Sequence, residues 1–159
     1  MNHLEFIKSR RSYRKYKETK VDKKLLDEIV YCGLVAPSGM NTQGIHISVV
    51  TDENLLNRIN ETVGRNCTYS APALLIVHCE KDYRYAYTDG SCTMANMYLA
   101  AEALDLGSCW INQLKDISNS EVIKEMGLDN QIIVGSLAVG YKDEEKTPRN
   151  LNLDRVHYF

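Results

Sequence analysis

Apolar positions along the chain follow two rhythms, a spacing near 3.6 residues and short unbroken runs, and together they predict an order of elements. Leu4, Phe6 and Ile7 mark a short opening helix over residues 2–9. From Asp22 onward, Leu25, Leu26, Ile29, Val30, Gly33 and Leu34 recur with the i, i+3, i+4, i+7 spacing of a half-buried helix. Pro37 stops it, because proline has no N–H with which to extend the ladder. Residues 45–51 read as a strand, and Leu55, Leu56, Ile59 and Val63 as a helix ending near Gly64. The run 73–79, apolar but for His78 between Pro72 and Glu80, is expected to be a strand covered on both faces. Residues 89–106, rich in Ala, Leu and Met, give the longest helical pattern, a central helix that Gly107 is expected to end. Residues 108–112 resume as a strand. Ser118 and Glu121 have capping-box spacing and predict a short helix to Met126, closed by Gly127. Residues 132–141 form a last apolar strand, and the remainder is charged, then irregular, ending in Val156, Tyr158 and Phe159.

Four strands among five helices, without strict βαβ alternation and without a Gly-x-Gly-x-x-Gly turn, disfavour a dinucleotide-binding doubly wound sheet. The order predicts an α+β fold, a mainly antiparallel sheet flanked by helices, in one domain spanning residues 1–159. The apolar tail has no evident place in such a core. An arm crossing to a partner subunit would give it one.

Charge narrows the function classes. A net charge of -2 and a pI near 6.1 argue against a nucleic-acid protein, whose footprint is a strongly basic face. No apolar run is long enough to span a bilayer, and the charged start lacks a signal-peptide core, so a cytoplasmic protein with no membrane partner is expected. Cys32, Cys67, Cys79, Cys92 and Cys109 are odd in number and form no Cys-x-x-Cys pair, which fits buried free thiols better than disulfides or zinc. His3, His46, His78 and His157 are equally scattered, so no protein metal site is expected.

Two segments carry candidate chemistry. Arg10-Arg11-Ser12-Tyr13-Arg14 places three guanidinium groups and a hydroxyl within five residues, forked donors suited to a dianion. Ala36-Pro37-Ser38-Gly39-Met40-Asn41-Thr42-Gln43 fixes an unusual backbone path and presents Ser38, Asn41 and Gln43, groups suited to a heteroaromatic edge. Together they suggest a nucleotide-like cofactor. Taken alone, a run like the first is most often a solvated basic face, and the second could be no more than a helix-stopping turn.

These segments, in order with Ala71-Pro72-Ala73, Asp89, Asn96-x-x-Leu99-Ala100-Ala101, Leu106-Gly107-Ser108-Cys109-Trp110-Ile111, Leu137-x-x-Gly140-Tyr141 and Pro148-Arg149, resemble the nitroreductase family in its short form. That family comprises FMN-dependent NAD(P)H oxidoreductases, and the resemblance covers nearly the whole chain. It implies an obligate homodimer with two FMN sites at the subunit interface. Carried onto this sequence, it implies that Arg10, Ser12 and Arg149 bind the phosphate, with Arg11 in support, and that Arg14 lies toward the N1 and C2 carbonyl edge of the ring. Pro37, Ser38, Gly39 and Asn41 would line the ring and ribityl chain from the partner subunit. Asn112 and Gln113 fall where a backbone N–H lies near flavin N5. Many members have glycine there, so these side chains either narrow the site or alter the pose of the reductant. The segment before Ala71 is short and no helical lid is inserted between Gln113 and Ser118, which implies an open pocket.

The resemblance also implies ping-pong transfer of electrons from NAD(P)H to nitroaromatic, quinone or related small-molecule acceptors. Its alternatives are a flavin carrier or sensor without meaningful turnover, or a specialised flavin reductase or dehalogenase. Tyr83, Tyr85 and Tyr87 alternate before the long helix, either as one face of an edge strand or as an aromatic wall for substrate. Trp110 reads as core, and Asp89 either as a helix N-cap or as a functional carboxylate.

Overall fold

The computed structural model describes residues 2–159. Helix α1 (His3–Ser9) opens with a capping box in which the Asn2 side chain accepts from the Glu5 N–H and Glu5 reaches back to Asn2. The chain continues through α2 (Lys23–Leu34), β1 (His46–Val50), α3 (Glu53–Val63), β2 (Ala73–Glu80), α4 (Ala86–Ala103), β3 (Leu106–Ile111), α5 (Glu121–Glu125) and β4 (Gln131–Tyr141). The four strands form one antiparallel sheet in the order β1-β2-β4-β3. The expected α+β class with an antiparallel sheet is what the chain adopts.

Both faces of the sheet are covered, which explains the apolar run 73–77 that opens β2. Leu75 and Val77 on one face join Leu137 and Val139 of β4 in a core closed by Leu26 and Ile29 of α2 and Met94, Met97 and Ala101 of α4. Leu74 and Ile76 on the other face join Ile133 and Ala138, closed by Leu56 and Ile59 of α3 and Val122 and Ile123 of α5. Helices α2 and α4 approach so closely that a Cβ at Gly33 would lie 2.7 Å from Met97 Cγ.

Three boundaries differ from expectation. Helix α4 begins at Ala86, so Asp89 lies inside its first turn rather than capping it. Gly107 does not end that helix. Asp105, at φ 57°, makes the turn, and Gly107 lies within β3, where a Cβ would sit 3.0 Å from Tyr13 Cβ. The N-cap of α5 is Ser120, not Ser118, which closes the 3-10 turn Gln113–Ile117. Tyr83 and Tyr85 lie in the turn entering α4 and Tyr87 in its first turn, so no edge strand carries them. No helix among the described residues is long and apolar enough to cross a membrane.

Candidate functional site

The basic segment after α1 belongs to no regular element, yet it is held at many points. Tyr13 N–H donates to Ser108 O of β3 at 2.8 Å, Lys17 N–H to Tyr141 O at 3.0 Å, and Asp143 N–H to Lys15 O at 3.2 Å. Glu144 adds a side-chain anchor, accepting from the Arg14 and Lys15 N–H groups and pairing with Lys146 at 2.7 Å. The segment is thus laced between β3 and the chain leaving β4.

Its three arginines have different surroundings. Arg11 is taken up by backbone: its Nη1 donates to the carbonyls of Lys8, Ser9 and Arg10, and its Nε to Thr147 O at 3.1 Å. That guanidinium fastens the tail to the end of α1. Arg10 lies over the Tyr98 ring of α4, 4.3 Å from the centroid, and its Nη1 is buried without a hydrogen-bond partner among the described residues. Ser12 accepts from the Tyr98 hydroxyl at 2.6 Å. Arg14 sits 5.7 Å from the centroid of Tyr69. Tyr69 and Ser70 are consecutive left-handed residues, φ 56° and 58°, in a turn held by Asn66, whose Oδ1 accepts from Ser70 N–H and whose Nδ2 donates to Ser70 Oγ. The Arg14 pKa is raised, chiefly by Tyr69. Buried Cys109 of β3 lies behind this cluster, and burial raises its thiol pKa against the opposing pull of Arg14, Lys146 and Arg10. That thiol stays protonated.

The second segment follows α2 and is strained: Met40, Asn41 and Gln43 all have positive φ, between 51° and 55°. Such backbone costs on the order of 1–3 kcal/mol per residue and persists only where its surroundings hold it. The holder is Asp89, 6% exposed. Its carboxylate accepts from the Gly39 N–H at 3.0 and 3.1 Å and from the Tyr83 hydroxyl at 2.6 Å, while that hydroxyl also meets Thr42 Oγ1 at 2.5 Å. Gly39 is required by space, since a Cβ there would lie 2.7 Å from the Tyr85 ring. Ser38 Oγ accepts from the Gln43 N–H at 3.1 Å, closing the loop on itself. Beneath it is a cavity of about 160 Å³ lined by Pro37, Ser38, Gln43, Asp89 and Thr93 among others.

Tyr83 and Tyr85 therefore brace the loop from within the same chain, whereas Tyr87 is exposed, with Lys115 Nζ 5.5 Å from its ring centroid. Asn112 caps the 3-10 turn begun by Gln113, and its Oδ1 accepts from the Trp110 indole at 3.0 Å. Trp110 itself is half-buried against the core. Arg149 lies in the exposed tail. Asp89 and Tyr98 are nine residues apart on α4, roughly 13 Å along its axis, so the loop and the basic segment sit at different heights on one helix. Tyr98, Tyr69 and Glu144 had no sequence signal. Each acts on a residue distant in the chain.

The sequence profile of the nitroreductase family matches residues 7–69 and 62–141. The chain belongs to the nitroreductase family. The same fold is seen in a nitroreductase with bound FMN from Bacteroides fragilis, 29% identical, with each chain covered in full and a TM-score of 0.91. An FMN-dependent nitroreductase from Clostridium difficile is also 29% identical, with 98% of each chain covered and a TM-score of 0.86. A relative from Methanothermobacter thermautotrophicus, provisionally named NADH dehydrogenase/NAD(P)H nitroreductase, is 32% identical over 99% of this chain and 86% of its own length.

Proposed function

We propose that this nitroreductase-family chain is an FMN-dependent oxidoreductase that passes electrons from NAD(P)H to nitroaromatic, quinone or related acceptors. The observation that carries the reading is the Arg10 guanidinium, laid over Tyr98 beside Ser12 with a buried Nη1 that no group among the described residues satisfies. A buried charged donor without an acceptor costs several kcal/mol less once an anion meets it, and a phosphomonoester supplies the acceptors. Arg10 and Ser12 would hold that phosphate, with Arg149 contributed by the tail. Arg11, already committed to four carbonyls, would support the site by fixing the backbone.

FMN, when bound, supplies hydride acceptance and its return to the acceptor. Arg14, kept cationic beside Tyr69, would set positive charge along the ring edge that gains negative charge on reduction. Asn112 and Gln113 would border the reacting face, with the Asn112 carbonyl oxygen tied back to Trp110. No acid or base of the chain is needed for hydride transfer. Reductant and acceptor would use one pocket in turn, which gives ping-pong kinetics.

The working unit in this reading is a homodimer in which Pro37, Ser38, Gly39 and Asn41 face the partner's flavin. Exposed Tyr31, Leu34, Val35 and Met40 around that loop, and Leu151, Leu153, Val156, Tyr158 and Phe159 in the tail, supply apolar surface for such an interface and for an arm crossing it. Five unpaired cysteines agree with a reducing, cytoplasmic setting. The test is anaerobic mixing of the flavin-loaded protein with NADH and with NADPH. Bleaching of the yellow absorbance by either, reversed by a quinone or nitroaromatic, is expected. A loaded protein that neither nicotinamide bleaches would be a carrier or sensor instead.

A further inference from the structure

We propose that Tyr98 is a positioning residue for a phosphomonoester and that it makes the site select FMN over riboflavin. This deepens the flavin reading above and rests on it. Tyr98 stands on α4 between Met97, fully buried, and the buried Ala100 and Ala101, so its backbone is fixed by the core while its side chain, 9% exposed, reaches the basic segment. Arg10 and Ser12 belong to no helix or strand. Beyond the backbone bonds that anchor the segment, one side chain touches both: the Tyr98 ring carries the Arg10 guanidinium at 4.3 Å and its hydroxyl donates to Ser12 Oγ at 2.6 Å.

The direction of that hydrogen bond matters. Ser12 accepts from Tyr98, so its own proton is left to donate to another group. The Arg10 guanidinium, 4.3 Å from the Tyr98 ring centroid, likewise has a buried Nη1 with no acceptor among the described residues. The pair therefore offers a cationic N–H donor and a hydroxyl donor and calls for an anion with several acceptor oxygens. FMN ends in such a group. Riboflavin ends in a neutral hydroxyl that cannot satisfy both and brings no charge to Arg10. Tyr98 thus contributes to binding through the phosphate and hardly through the ring or ribityl chain.

The test compares FMN and riboflavin affinity by fluorescence titration of flavin-depleted wild type, Tyr98→Phe and Tyr98→Leu, with circular dichroism and light scattering to confirm fold and assembly. Tyr98→Phe keeps the ring under Arg10 and frees Ser12, and should weaken FMN by about tenfold while leaving riboflavin within about twofold. Tyr98→Leu also loses the cation–π contact and should weaken FMN a further few-fold. Loosening of the fold would instead weaken both flavins alike. Parallel losses in Tyr98→Phe, or unchanged FMN affinity, overturn the inference. Wild-type protein that binds FMN no better than riboflavin overturns it while leaving the flavin reading intact, and wild-type protein that binds neither overturns both. If Tyr98→Leu fails to fold, the near-isosteric Phe variant still decides.

Discussion

Replacing Tyr83 with Phe removes one oxygen from the clamp that holds the Ser38–Gln43 loop, and its cost can be worked from the contacts. The lost hydroxyl donates to the Asp89 carboxylate at 2.6 Å and meets Thr42 Oγ1 at 2.5 Å. Asp89 is 6% exposed and retains the Gly39 N–H and a long contact to Thr88 at 3.4 Å, so the tyrosine hydroxyl is one of its few protein donors. A hydrogen bond to a charged group contributes about 1.5–3 kcal/mol. For a chain of this size each kcal/mol moves the midpoint of thermal unfolding by about 2–4 °C, which predicts a fall of roughly 3–12 °C for Tyr83→Phe. Thr42→Val loses only a neutral partner, worth about 0.5–1.5 kcal/mol, and should fall less. Thermal unfolding followed by circular dichroism at pH 7, without added flavin, reads both. A Tyr83→Phe midpoint within about 1 °C of wild type, or a larger loss in Thr42→Val, would refute the clamp.

Arg10→Ala should mainly weaken FMN binding, by about ten- to a hundredfold, since it deletes the proposed charged partner of the phosphate. Arg14→Ala should keep more flavin but lower its reduction potential and slow reduction by NAD(P)H, and potentiometry with FMN titration separates the two. The reverse pattern would exchange their roles. Removing residues 146–159 deletes Lys146, Arg149 and the apolar tail, and frees the Arg11 Nε now held by Thr147, so dimer and flavin should be lost together in light scattering and absorbance. Burial lowers the His78 pKa, reinforced by stacked His46 and opposed by Gln131 and Glu80. The unfolded chain therefore takes up a proton where the folded one does not. That contribution to stability is whole above about pH 6.5 and is lost as pH falls below it, by at most about 1.4 kcal/mol per unit. His78→Gln should flatten the decline in unfolding midpoint between pH 7 and 5, and a slope equal to wild type would count against it.

How much of this was legible in the sequence depended on whether the controlling contact was local. The runs of β2 and β4 and the spacing of α2 and α3 announced themselves, because burial on a sheet or helix face writes its period into the chain. Asp89 and Gly107 misled because each looked like punctuation. The carboxylate serves a loop 50 residues away, and the glycine makes room for Tyr13. The tyrosine alternation suggested a strand, but Tyr83 and Tyr85 alternate across a turn where both brace the loop at Gly44 and Gly39. The arginine cluster was visible as charge. That Arg11 is spent on carbonyls while Arg10 keeps an orphaned nitrogen depends on Tyr98, 88 residues from Arg10, and on Thr147, which no local pattern encodes.

The most direct test of the central claim is to identify and quantify the flavin released by heating the purified, folded protein. The account predicts FMN, in an amount approaching that of the chain, because the buried Arg10 nitrogen and the Ser12 hydroxyl beside it call for a single phosphate and no second segment is built for an adenylate. Release of FAD, or a folded protein that carries no flavin and takes up none when FMN is supplied, would contradict it.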